Sequence, residues 1–288
     1  MDKILLILLS LLVGFIILLI QFFFQSGGLK AIKLANTSPY YRPTFLICGP
    51  NNAGKTALFY KLISNGEVVT TVSSIEPNFA DISLPIASPQ VGKKYQLIDY
   101  PGHLKYWNLF EKLILQDITL PQIKGVCVVL DSSSPNWSKD SLQVEKISKF
   151  LFNLLAITER KQNGVDYLFA VNKSDLFDSL PVHKIRSILE VEINRLIENE
   201  ISSTEKTSGI DISNDDENEG DNMSGMGSGS VSHRENLREF WLGVIGSAKD
   251  ATFTFDKLEG NMDFLNGSVL KDKIEKWEDW LDEKVVNP

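Results

Sequence analysis

The sequence predicts an open α/β domain, a six-stranded and mostly parallel sheet flanked by about five helices, preceded by one membrane-spanning helix. Three observations carry that expectation. Apolar runs of strand type at 44–48, 95–98, 166–171 and 240–245 each end in a short polar motif. Open α/β sheets bind ligands at the C-terminal ends of their strands. Helical stretches separate these runs, and right-handed crossovers then build a parallel sheet. Finally, Ile4 to Phe24 is a run of 21 residues without a charge.

That first run spans about 30 Å as a helix, the thickness of a hydrocarbon core. A secretory signal has a shorter apolar region and a small-residue cleavage site. Here the run ends in Phe22-Phe23-Phe24, and Gly27-Gly28 follow without an A-x-A pattern. Residues 4–24 are therefore expected to anchor the chain. Asp2 and Lys3 cancel before the span, whereas Lys30, Lys33 and Arg42 follow it. Positive charge stays cytosolic, so residues 1–3 form a short lumenal N-terminus and the rest faces the cytosol. Residues 25–43 read as a juxtamembrane linker, broken by Gly27-Gly28, Ser38-Pro39 and Arg42-Pro43. Residues 44–288 form the soluble domain.

Thr44–Cys48 is the first strand. Gly49-Pro50-Asn51-Asn52-Ala53-Gly54-Lys55-Thr56 follows and fits G-x-x-x-x-G-K-[ST], after which Ala57–Ile63 reads as helix. Strand, loop and helix is the context that makes this motif a phosphate cradle. Backbone N–H groups of Asn51, Asn52, Ala53 and Gly54 and the helix N-terminus would meet the negative charge. Lys55 would reach the β- and γ-phosphates, and the Thr56 hydroxyl would ligate Mg²⁺. Glu67 to Asn78 is a hydroxyl-rich loop containing Thr70-Thr71-Val72-Ser73-Ser74-Ile75. The strand Tyr95–Ile98 then ends in Asp99-Tyr100-Pro101-Gly102-His103. This resembles the DxxG motif of GTPases, with Asp99 at the Mg²⁺ shell and the Gly102 N–H at the γ-phosphate.

Leu142, Ile147, Phe150, Leu151, Leu154 and Leu155 follow at helical spacing. The strand Asp166–Val171 runs into Asn172-Lys173-Ser174-Asp175, which matches NKxD. The Asp175 carboxylate can accept from guanine N1–H and the 2-amino group, whereas adenine offers neither in that arrangement. The Lys173 stem can lie over the purine, and Asn172 can tie this motif to the phosphate loop. Residues 201–236 are rich in Ser, Gly, Asp and Asn, and are expected to be a disordered acidic insertion. Phe240–Ile245 is expected to be a strand leading to Gly246-Ser247-Ala248-Lys249. This resembles the SAK motif, with the Ala248 N–H at guanine O6 between Ser247 and Lys249. Leu270, Ile274, Trp277 and Leu281 mark a final helix.

Net charge is −8, which argues against nucleic-acid binding. Seven of the acids lie in 201–230 against Lys206 alone, so the remainder is close to neutral. Cys48 and Cys127 sit in apolar runs without metal spacing and are expected to be buried thiols.

The four motifs in this order resemble the Ras-like P-loop GTPases, with GTP and Mg²⁺ as the implied ligands. The hydroxyl-rich loop is similar to switch I of ADP-ribosylation-factor-like members, which carry V-T-T-x-P-T-I. On that register Ser74 stands for the Mg²⁺-binding Thr and Ser73 for the Pro, with Thr71 as an alternative ligand. A transmembrane anchor together with GPxNxGKT, DxPGH and this loop resembles the β-subunit family of the signal recognition particle receptor. The resemblance covers residues 1–200 and 237–288. It implies an endoplasmic reticulum membrane protein that binds the receptor α subunit through its GTP-bound switch face. Such a subunit helps bring ribosome–nascent-chain complexes to the translocon. An anchored Arf-like GTPase of vesicle traffic, and an anchor holding GTP as a permanent cofactor, are the alternatives. His103 stands where most Ras-like proteins carry the Gln that orients water. It is the candidate catalytic residue, and the Asn51 side chain would crowd an arginine finger. Hydrolysis is therefore expected to be slow or partner-dependent.

Overall fold

The computed structural model describes residues 38–64, 70–138, 141–207, 229–246 and 252–286. The expected lumenal residues, the transmembrane segment and most of the linker lie outside them. Among the described residues no helix is long and apolar enough to cross a membrane.

The chain runs through β1 (Thr44–Cys48), α1 (Lys55–Ile63), β2 (Asn78–Leu84), β3 (Lys93–Asp99) and α2 (Trp107–Lys112). It continues with β4 (Ile123–Asp131), α3 (Leu142–Thr158), β5 (Tyr167–Asn172), α4 (Val182–Thr207), α5 (Gly229–Ile245), β6 (Met262–Asn266) and α6 (Glu275–Val286). The sheet order is β2-β3-β1-β4-β5-β6. β2 pairs antiparallel with β3, and every other neighbour is parallel. The six-stranded, mostly parallel expectation is met.

The central strands are apolar on both sides because helices cover both faces. Alternation then sorts each strand between two cores. Leu46 and Cys48 of β1 join Val126, Val128 and Leu130 of β4 and Tyr167, Phe169 and Val171 of β5 under α2 to α5. Phe45, Ile47, Val129, Leu168 and Ala170 face the other way, under α1 and α6. Both thiols are free and buried, and burial pushes Cys127 up to about 12. In α4, Ile185, Leu189, Ile193 and Ile197 recur every fourth residue and are fully buried.

Three expectations change. Residues 240–245 are the last turns of α5, not a strand. Leu237 and Trp241, one helical turn apart, are buried, and Trp241 stacks on Phe152 of α3 at 4.9 Å. A short apolar run cannot separate strand from helix by itself; here the tertiary contacts favour helix. The sixth strand is instead β6, which aligns Phe264 with Phe169 of β5 and stacks the two rings at 4.1 Å. Second, helix occupies both ends of the expected insertion: α4 continues to Thr207 and α5 begins at Gly229, leaving only 208–228 outside the described residues. Third, Leu270 is exposed and precedes α6, so the last helix uses Trp277, Trp280 and Leu281 as its buried face.

Helix α6 is locked by two tryptophans over glycines. A Cβ on Gly125 of β4 would come within 2.6 Å of the Trp280 ring. The Trp280 Nε1–H donates to Asp263 at 2.9 Å. A Cβ on Gly267 would meet the Trp277 ring at 2.5 Å, and Trp277 Nε1–H donates to the Leu265 carbonyl at 3.1 Å.

Candidate nucleotide site

The loop between β1 and α1 is a backbone concavity. Gly49 and Gly54 hold φ of 128° and 97°, where a side chain is strained. Asn52 also takes a left-handed conformation, at φ 63°. A Cβ on Gly54 would overlap the Asn172 side-chain amide, so only glycine lets the two motifs approach. Asn172 uses that proximity: its Nδ2 donates to the Ala53 carbonyl at 2.8 Å, and its Oδ1 accepts from the Val269 N–H at 3.0 Å. The tie to the phosphate loop expected of Asn172 is present.

Lys55 is almost buried, and its ammonium donates to the Pro50 carbonyl at 2.8 Å. Gly102 lies directly over it, with space for a Cβ closed off by the Lys55 ammonium at 2.6 Å and the Gly49 carbonyl at 2.5 Å. Beside them Thr56 Oγ1 donates to Asp99 Oδ2 at 2.7 Å and meets Ser74 Oγ at 3.0 Å. Asn78, at the start of β2, donates to both Asp99 Oδ2 (2.9 Å) and Ser74 Oγ (3.1 Å). All three residues expected at a metal thus converge. Thr71 lines the same cavity but is not in this hydrogen-bonded set.

Burial pushes the Asp99 carboxyl above its ordinary range, against hydrogen bonds from Thr56 and Asn78 and the charge of Lys55. Burial likewise lowers Lys55, against the pull of Asp99. A divalent cation beside Asp99 and phosphate beside Lys55 would reverse both penalties. Asp99 Oδ1 is buried and without a hydrogen-bond partner. A buried carboxylate oxygen is rarely left so. One carboxylate with hydroxyls is the donor set that Mg²⁺ takes together with water and phosphate oxygens, so these residues fit that ion.

The cavity beside them has a volume of about 300 Å³, within the range of small-molecule sites. The phosphate loop, residues 70–74 and Gly102 line one end, and Asn172, Lys173, Val269 and Leu270 the other. Ser174 donates its backbone N–H (3.1 Å) and its hydroxyl (2.8 Å) to the Gly267 carbonyl, binding the two base-side loops together. Asp175 is exposed and does not line the cavity. Ser247, Ala248 and Lys249 lie outside the described residues. They follow a helix, so the strand-end position expected for that motif is taken by Gly267-Ser268-Val269-Leu270 after β6. Asn78 and this loop were missed by sequence reasoning; the loop's available signal was the Gly-Ser pair closing the short run Met262–Asn266.

His103 is exposed and does not line this cavity. Its Nδ1 accepts from the Lys105 N–H at 3.2 Å, and its ring meets Tyr106 edge-on. It borders an adjacent hollow with Asn51, Gln143 and Phe150.

Fold and site together define a Ras-like P-loop domain. Comparison with known proteins narrows this. The family model described as "Signal recognition particle receptor beta subunit" matches residues 40–238. The signal recognition particle receptor subunit beta of Saccharomyces cerevisiae is 32% identical over 248 residues, covering 85% of each chain. That of Dictyostelium discoideum is 24% identical over 270 residues, 91% of this chain and 77% of the relative. Among solved structures, the mammalian SRP receptor aligns with TM-score 0.58 and 21% identity, over 84% of this chain and 99% of that one. The SRb-GTP/SRX complex of Chaetomium thermophilum aligns with TM-score 0.56 and 21% identity, over 84% and 98%. The chain belongs to the signal recognition particle receptor beta subunit family.

Proposed function

We propose that this chain is the GTP-binding membrane subunit of the signal recognition particle receptor, holding the receptor's α subunit at the endoplasmic reticulum for cotranslational targeting. One observation carries the nucleotide reading: Thr56, Ser74 and Asp99 meet beside a cavity that Asn172 and Lys173 also line. Relatives solved as SRb-GTP/SRX and SRb-GDP-Mg support GTP, Mg²⁺ and a protein partner.

When bound, Mg²⁺ neutralises charge on the β- and γ-phosphates. Thr56, Asp99 and Ser74 would hold it. Lys55 and the N–H groups of residues 51–56 and Gly102 would hold the phosphates, and Asp175 would read the guanine edge. Ser74 lies in the loop carrying Val72 and Ile75, which are 88% and 73% exposed. A ligand that fixes Ser74 therefore shapes an apolar surface for the partner. Residues 4–24 are the single-pass anchor in this reading, with residues 1–3 lumenal and the domain cytosolic. His103, outside the cavity, accords with slow or partner-dependent hydrolysis.

The test is a capture experiment on the full chain in detergent, loaded with a non-hydrolysable GTP analogue or with GDP. Recovery of the receptor α subunit with the GTP form alone supports the proposal. Coat or tethering proteins in its place would turn the reading to an anchored traffic GTPase.

A further inference from the structure

We propose that Asp131 is a positioning residue for the nucleotide: it holds the Lys173 side chain as a wall against the flat face of the base, and so sets how long the nucleotide stays bound. The proposal rests on the guanine-nucleotide reading of the cavity and adds a residue that no motif contains.

Asp131 closes β4 directly beside Asn172 at the end of β5. Its Oδ1 accepts from the Ser133 N–H at 3.0 Å and the Ser133 hydroxyl at 2.7 Å. The Asn136 amide in turn donates to that hydroxyl at 2.8 Å. The carboxylate is thereby fixed in plane, and Oδ2 is left to accept from the Lys173 ammonium at 2.6 Å. Lys173 takes a left-handed backbone conformation, φ 62°, which a residue with a side chain rarely adopts. Its side chain is 25% exposed and that of Asp131 only 11%, so water screens this pair less than a surface pair.

An unpaired ammonium moves to water and draws its alkyl stem along. Lys173 lines the cavity, and Asp131 keeps that stem there. Contact with the face of a purine does not depend on the groups at its edge. Asp131 should therefore act equally on guanine and hypoxanthine nucleotides, whereas Asp175 acts on the edge.

The experiment follows release of fluorescently labelled GDP and IDP from the full chain in detergent. Asp131→Ala is expected to speed release of both by the same factor, about tenfold, as for loss of a hydrogen bond to a charged group. Asp131→Asn, which keeps an acceptor for Ser133 and protects the fold, should speed both in the same way. In a Lys173→Ala background, Asp131→Ala should add nothing. Unchanged release from both variants, or an equal acceleration with and without Lys173, would overturn the proposal, the latter by assigning Asp131 to strand support. If the wild-type chain binds neither nucleotide, the reading of the cavity fails as well; if it binds both and the variants match it, only the role of Asp131 fails.

Discussion

Asn78 touches both the Asp99 carboxylate and the Ser74 hydroxyl and is not itself one of the expected metal ligands. Groups that orient metal ligands commonly matter about 10–100-fold in metal affinity. Asn78→Ala is thus expected to raise the Mg²⁺ concentration needed to slow nucleotide release about tenfold, with no effect once Mg²⁺ is chelated. Release rates across a Mg²⁺ titration measure this. An equal acceleration with and without the ion would place Asn78 outside the metal's support. The motif residues Lys55, Thr56, Asp99 and Asn172 were legible in the sequence because phosphate chemistry demands those types at fixed local spacing. Asn78 and Asp131 were not. Each is a polar residue at a strand end whose key contact comes from a neighbouring strand or the loop after it.

Between elements, Asp166 joins three of them at the end of the sheet opposite the phosphate-loop cavity. It accepts from the Asn261 N–H and side-chain amide, both at 2.9 Å, ahead of β6, and pairs with Lys284 of α6 at 3.0 Å. Burial pushes its carboxyl up, but these partners outweigh burial and hold it below its ordinary value. The folded pKa therefore lies below the unfolded one, and near the titration the unfolded chain binds more protons. The stabilisation is complete above about pH 3.9, the unfolded value, and is lost as pH falls through the folded value. Asp166→Asn should cost about 1 kcal/mol at pH 7, discounted for partial exposure. The two urea midpoints should converge in acid, and a pH-independent gap would refute the linkage. Elements were harder to assign where apolar runs are short. Phe240–Ile245 matches a strand in composition, yet burying Leu237 together with Trp241, which stacks on Phe152, needs helical spacing. The loop that follows the sixth strand is therefore 267–270, while 247–249 lie outside the described residues. A further test lies in α6: Trp277→Ala should cost about 3–5 kcal/mol in urea unfolding, since it empties space under Gly267.

For the molecule as a whole, the cavity joins segments from residue 51 to residue 270, so a ligand there should stabilise the entire domain. GTP with Mg²⁺ at about a hundred times its Kd is expected to add about 2.7 kcal/mol. A scan of Tm with GTP, with GTP and a chelator, and with ATP checks this. Equal shifts for ATP and GTP would contradict the guanine reading. The two tryptophans of α6 have a further consequence, in time. Domains begin to fold while they are being made. The ring that braces Gly267 comes later in the chain than every residue lining the cavity. A chain paused in synthesis before residue 277 would carry a phosphate loop without a braced base pocket. In the nucleotide reading, the loop after β6 is therefore braced only once α6 has been made and has docked.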